Sequence, residues 1–129
     1  MARAKILVVD DNPDIVEMVQ LRLQANDYSV VTALDGMQAL EKAESEQPDL
    51  ILLDISMPGM DGFETGSKLK KNPVTEDIPI IMVTAKGQHN DVLQAIAEVG
   101  AKGYVIKPYR PEVLLEKVET VLRKKGHPL

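Results

Sequence analysis

Four places along the chain carry groups that could do chemistry together: the adjacent acids Asp10 and Asp11, the acid Asp54, the hydroxyl of Thr84 and the ammonium of Lys107. Each stands directly after a short apolar run: Ile6-Leu7-Val8-Val9, Leu50-Ile51-Leu52-Leu53, Ile80-Ile81-Met82-Val83 and Gly103-Tyr104-Val105-Ile106. Two carboxylates held about 4 Å apart repel by about 4 kcal/mol at an intermediate dielectric, so a nearby cation is needed if both stay ionised. Hard oxygen ligands of high charge suit Mg²⁺, which often joins one or two carboxylates to a phosphate oxygen; Mn²⁺ suits the same donors. Such an ion would also neutralise charge on a transferring phosphoryl group. Lys107 could hold a phosphate oxygen as a point charge, and Thr84 could donate to another. A carboxylate can itself attack phosphorus and form an aspartyl phosphate. Asp54 stands singly on a mid-chain run and is the nucleophile candidate; the pair Asp10 and Asp11 is better suited to metal.

The elements between these runs have helical periodicity. Asn12-Pro13 reads as an N-cap followed by proline in the first turn. Ile15, Val19 and Leu23 with Met18 predict one apolar face of a helix over about 13–25. Residues 28–33 are β-rich. Asp35-Gly36-Met37-Gln38 and Asp61-Gly62-Phe63-Glu64 are capping-box patterns opening a second and a third helix, stopped near Pro48 and Pro73. Gly66 and Ser67 should weaken the third. Asn90 or Asp91 can cap a fourth, with Val92, Ile96 and Val99 inward and Gly100 as terminator. Leu114, Val118, Val121 and Leu122 mark the last helix, with Arg110 a poor N-cap. Five strands alternating with five helices, the strands nearly all apolar, predict an open, doubly wound parallel sheet covered on both faces. Ligands of such sheets sit at the carboxyl edge of the strands.

The chain has 129 residues, enough for one domain: a core of about 4–124 and a tail of 125–129. Only one Phe and three Tyr are present, so the core must be aliphatic. A net charge of −5 argues against general nucleic-acid binding. Zero cysteines exclude disulfide frameworks and thiolate zinc sites. No apolar run approaches the about 18 residues of a membrane span. The expectation is a cytoplasmic protein with no membrane or direct nucleic-acid partner. His89 and His127 read as surface residues, and Met57, Met60 and Met82 as packing.

In order and spacing, the pieces from Ile6 to Asp11, Pro48 to Asp54, Met57-Pro58-Gly59-Met60-Asp61-Gly62, Ile80 to Ala85, Gly100 to Tyr104 and Lys107-Pro108 resemble the receiver domain of two-component response regulators. The resemblance covers about residues 4–124. It implies a flavodoxin-like α/β fold with strand order 2-1-3-4-5 and a phosphorelay role in which Asp54 takes a phosphoryl group from a histidine kinase or histidine phosphotransfer protein. It implies Mg²⁺ held by Asp11, Asp54 and the carbonyl of Ser56, with Asp10 helping through water. It implies phosphate contacts from Thr84, Ala85 and Lys107, a cis Lys107–Pro108 peptide, and a switch in which Thr84 and Tyr104 reshape the surface of helix 4, strand 5 and helix 5. Ser56 and Lys86 would tune hydrolysis. Tyr109 stands where Phe is commoner in the family.

The leading expectation is a stand-alone receiver, not an enzyme, with output by contact with another protein as a monomer or a phosphorylation-dependent dimer. A receiver cut from a longer regulator is the alternative, with 125–129 as linker stub. A Mg²⁺-dependent aspartyl-phosphate phosphatase would need a substrate cap and usually a second acid at position 56, where Ser stands. A flavin binder is disfavoured by the acidic loop Asp11-Asn12-Pro13, where uncharged donors are needed.

Overall fold

Alternating apolar runs and amphipathic segments fold as their periods require. The computed structural model describes residues 3–85, 93 and 95–126. The order is β1 (Lys5–Val9), α1 (Pro13–Gln24), β2 (Ser29–Ala33), α2 (Gly36–Glu46), β3 (Leu50–Asp54), α3 (Gly62–Lys71), β4 (Ile80–Ala85), a short π-helical segment α4 (Ala95–Val99), β5 (Gly103–Lys107) and α5 (Pro111–Lys124). All four strand pairs are parallel, in the order β2-β1-β3-β4-β5. Every strand therefore ends at the same edge of the sheet.

Successive strand residues point to opposite faces, and the core divides accordingly. Leu7, Val9, Ile51, Leu53, Ile80 and Met82 form one cluster with Ala39, Ala43, Leu69 and Val99, the contributions of α2, α3 and α4. Ile6, Val8, Leu50, Leu52, Ile81 and Val105 form the other with Val19, Leu23, Leu114, Val118 and Leu122 from α1 and α5. Two covered faces explain why residues 6–9 of β1 and 50–53 of β3 are all apolar rather than alternating.

The helix starts follow local polar chemistry. The Asn12 carbonyl oxygen Oδ1 accepts from the Asp14 amide at 3.0 Å, and Asp35 Oδ1 accepts from the Gln38 amide at 2.8 Å. Gln38 reaches back to the Leu34 amide at 3.0 Å, one residue before the cap. Asp61 caps α3 by accepting from the Glu64 amide at 2.8 Å. The Glu64 carboxylate turns instead toward Lys68 at 3.7 Å, so this capping box is only half formed. Arg110 opens α5 without a side-chain cap, as its type predicts.

The structure corrects or extends three expectations. Met18 is 57 % exposed, and Val16 takes the inward place beside Val19 and Leu23. A helix has 3.6 residues per turn, so Val16 completes a stripe that Met18 would overshoot. Gly66 was expected only to weaken α3. It is buried where α3 meets Val99, and a Cβ there would stand 2.6 Å from Val99 Cγ1. The fourth helix is π-helical over Ala95–Val99; its expected start at Asn90, Asp91 and Val92, together with Lys86 and both histidines, lies outside the described residues. Gly100 ends it with φ of 69°, the left-handed conformation that glycine adopts without strain.

Candidate functional site

The common carboxyl edge brings three acids together. Asp10 follows β1, Asp11 is the next residue, and Asp54 is the last residue of β3, which pairs with β1 over four residues in parallel. One carboxylate oxygen from each of the three lies within 4.8 Å of the others. Asp10 and Asp54 are buried, at 5 % and 4 % exposure, while Asp11 is exposed. An acid at the closed base with another at the rim leaves the cluster reachable from solvent on one side.

The fifth strand supplies the counter-charge. Lys107 ends β5, and its Nζ stands 3.0 Å from Asp10 Oδ2 and 3.6 Å from Asp54 Oδ2. It donates its hydrogen bond to Asp10. The Lys107–Pro108 peptide bond is cis. Backbone amides hold the remaining oxygens: Asn12 N–H donates to Asp10 Oδ1 at 3.0 Å, and Ser56 N–H donates to Asp54 Oδ1 at 3.3 Å. Both bonds run from residue i+2 to an aspartate at i, a local turn that fixes the carboxylate plane.

Charge and burial shift the ionisation of these groups. Burial, then the Asp10 charge and less strongly that of Asp11, push the Asp54 carboxyl up to about 6; Lys107 and the Ser56 amide pull against them. Burial lowers the Lys107 ammonium, but its hydrogen bond to Asp10 and the charges of Asp54 and Asp10 outweigh that and raise it. Lys107 is therefore a fixed cation beside Asp10 and Asp54. Burial also raises the Tyr109 phenol, with Lys107 opposing.

The donor set fits a small hard dication. All side-chain donors are carboxylate oxygens gathered within 4.8 Å of one another, the hard ligands that Mg²⁺ takes. Asp10, Asp11 and Asp54 could hold it, and the exposed Ser56 stands two residues after Asp54 at the mouth.

A family model for the response regulator receiver domain matches residues 6–119. This chain belongs to that family. The receiver is 42 % identical over 120 residues to the alkaline phosphatase synthesis transcriptional regulatory protein PhoP of Bacillus subtilis, covering 93 % of this chain and 49 % of that protein. It is 43 % identical over 122 residues to the response regulator PleD of Caulobacter vibrioides, covering 95 % of this chain and 27 % of PleD. The chain thus spans about half the length, or less, of these curated relatives. Among solved structures, the chemotaxis protein CheY4 of Vibrio cholerae superposes with a TM-score of 0.87 at 39 % identity, covering 92 % of this chain and 98 % of that one.

Other expected site residues of the receiver lie around the cluster in different ways. Thr84 is 1 % exposed on β4, next along the strand from Val83, which pairs with Asp54. Its Oγ1 makes a long contact of 3.5 Å with the Ala85 carbonyl oxygen. Ala85 is exposed and pairs with Lys107 across the ladder. Tyr104 pairs with Met82, on the same face of the sheet as Thr84 and two residues before it in register. Its side chain is 41 % exposed. Tyr109 was singled out only as an unusual aromatic. It packs against the α1–α5 core cluster, close enough to feel the charges of Lys107, Asp10 and Asp54. The Asn12 amide was missed altogether; the pattern Asp-x-Asn before a helix was the available signal.

Proposed function

We propose that this receiver accepts a phosphoryl group on Asp54 from the phosphohistidine of a histidine kinase or histidine phosphotransfer protein, in a Mg²⁺-dependent step. The observation that carries the reading is the convergence of Asp10, Asp11 and Asp54 on one another, with Lys107 paired to Asp10 and Asp54. In the step, Asp54 Oδ attacks phosphorus, the new O–P bond forms, the N–P bond to the donor imidazole breaks, and the electron pair leaves on that nitrogen. Magnesium, when bound, supplies charge neutralisation for the phosphoryl oxygens. Asp54 is ionised above about pH 6 and is nucleophilic at neutral pH. Its Oδ1 is held by the Ser56 amide, which leaves Oδ2, on the Lys107 side, as the attacking atom. Lys107 has only to shift from Asp10 toward an incoming phosphoryl oxygen to stabilise the charge there. Thr84 and the Ala85 amide would take the remaining oxygens.

Output on this reading passes through α4, β5 and α5. Thr84 is drawn to the phosphoryl group, and the exposed Tyr104 on the same sheet face moves into the space behind it, so that new charge biases a two-state element. Ser56 and Lys86 set the hydrolytic lifetime, and Lys86→Ala should change the autodephosphorylation rate. The chain serves as a phospho-acceptor that assists its own phosphorylation and dephosphorylation rather than as an enzyme, in a cytoplasmic setting, with a downstream protein as target. The test is incubation with Mg²⁺ and acetyl phosphate followed by intact mass. One added phosphoryl group is expected for the wild-type chain, and none for Asp54→Asn or with chelator. Equal labelling of Asp54→Asn would overturn the reading.

A further inference from the structure

The loop that follows the acceptor strand is held at its base with little tolerance. Ile55 N–H donates to the Val83 carbonyl at 3.0 Å, which ties Ile55 to β4. The Ile55 carbonyl accepts from Gly62 N–H at 2.9 Å, which closes residues 56–61 into a loop pinned at both ends. Gly62, the first residue of α3, lies flat on this backbone. A Cβ there would strike the Asp54 carbonyl oxygen and stand 2.6 Å from Ile55 Cα. Both obstacles are main chain, one at the last residue of central β3 and the other at the buried residue after it, and neither can move aside as a side chain could.

A second close approach presses the same helix from the other side. Gly36, the first residue of α2, is buried, and a Cβ there would stand 2.5 Å from Thr65 Oγ1 and 2.9 Å from Met60 Sδ. Thr65 is fully buried in α3, and its hydroxyl donates to the Asp61 carbonyl at 2.8 Å. Asp61 is in turn the N-cap of α3. The first turn of α3 is thus gripped between the tip of β3, through Gly62, and the first turn of α2, through Gly36. Neither contact has room for a methyl group.

We propose that Gly36 is a positioning residue for the acceptor: packed on Thr65 and Met60, it works with Gly62 to set the α3 start and the 56–61 loop so that Ser56 keeps its amide on Asp54 Oδ1 and fixes the plane of that carboxylate. The proposal rests on the reading of Asp54 and Ser56 given above. A methyl at either glycine pushes α3 outward, opens the Gly62–Ile55 bond and displaces Ser56. The atoms nearest a Cβ at Gly36 belong to Thr65 and Met60 and not to an acid of the cluster.

The test compares Gly62→Ala and Gly36→Ala with Gly66→Ala, whose Cβ meets only the Val99 side chain, on the face of α3 toward α4. Mg²⁺ affinity by calorimetry and the initial rate of phosphorylation by acetyl phosphate are measured together with the melting temperature. Supporting residues of metal sites typically cost about tenfold or more in affinity when altered, and that loss is expected for Gly62→Ala and Gly36→Ala but not for Gly66→Ala. Removing the nearer obstacle in the double variant Gly36→Ala, Thr65→Ala should recover part of the Mg²⁺ affinity, since Met60 Sδ still stands 2.9 Å from the added methyl. Should Gly62→Ala fail to fold, the Gly36 pair carries the test alone. Mg²⁺ affinity of Gly36→Ala equal to that of Gly66→Ala, or no recovery in the double variant, overturns the positioning role. A wild-type chain that binds no Mg²⁺ and takes no phosphoryl group overturns the reading of the site instead.

Discussion

Strands β3 and β5 are each five residues long and belong to one sheet, yet all five residues of β3 are buried and only Val105 of β5 is. β3 is central, with β1 and β4 beside it and helices on both faces. β5 is an edge strand. Its α5 face carries Val105 and Lys107, while Tyr104 and Ile106 on the other face remain 41 % and 37 % exposed. The contrast separates two jobs. Asp54 ends a strand that is buried along its whole length, and the strand that brings the counter-charge leaves one face more exposed. A cation at the end of an edge strand can change partner with little repacking; an acid at the end of a central strand cannot.

Truncation should expose that difference most strongly in the core. Leu53 is fully buried, so Leu53→Ala should cost about 3 kcal/mol in urea denaturation, within the range for leucine truncations that leave a cavity. A loss well under 1 kcal/mol would mean that β3 is no more tightly held than β5. Next in size is Asp54. The Asp54 carboxyl is raised from 3.8 to about 6 by folding, so the folded chain binds its proton more tightly than the unfolded chain. Its contribution is therefore fully present below the unfolded value and lost as pH rises through about 6. In chelator, Asp54→Asn should raise stability at pH 8 by about 1–2 kcal/mol, and the wild-type decline between pH 4 and 6 should flatten. A variant less stable than wild type at pH 8 would show that Lys107 more than compensates the repulsion.

The packed part has one flaw that sharpens the comparison. Tyr28 is 3 % exposed beneath the Arg3 guanidinium, which lies 4.7 Å from its ring centroid, and its hydroxyl has no hydrogen-bond partner among the described residues. Removing an unsatisfied buried hydroxyl while keeping the ring should help, so Tyr28→Phe is expected to be stabilising by up to about 1 kcal/mol in thermal denaturation. A loss would reveal a bonded water at that oxygen. The smallest effect is expected on the open face of β5: Tyr104→Ala should change stability by about 0.5 kcal/mol, since the ring is already half in solvent. A cost near that of Leu53→Ala would erase the distinction between the two strands.

The sheet and its reactive edge were legible because apolar strands of a parallel sheet must end together, and every run but β2 stops on a polar residue. Asp10, Asp11, Asp54 and Lys107 come together for that reason. What the pattern could not carry was pairing within the cluster. Lys107 lies closer to Asp10 than to Asp54, a choice made by fractions of an ångström at the strand tips. Nor could a 3.6-residue period reveal that α4 is π-helical, or that Glu64 would prefer Lys68 to its own cap. Gly36, Gly62 and Gly66 read locally as a cap pattern and a weak helix. Their role lies in contacts with backbone and side chains far along the chain, which no local window contains.

The most direct test of the central claim is the location of the phosphoryl group. After labelling with acetyl phosphate and Mg²⁺, borohydride converts an aspartyl phosphate to homoserine, and tandem mass spectrometry locates the change. Homoserine at position 54 alone, with Asp10 and Asp11 intact, is the predicted result. Homoserine at 10 or 11, or label retained as a stable ester on Ser56 or Thr84, would contradict the account.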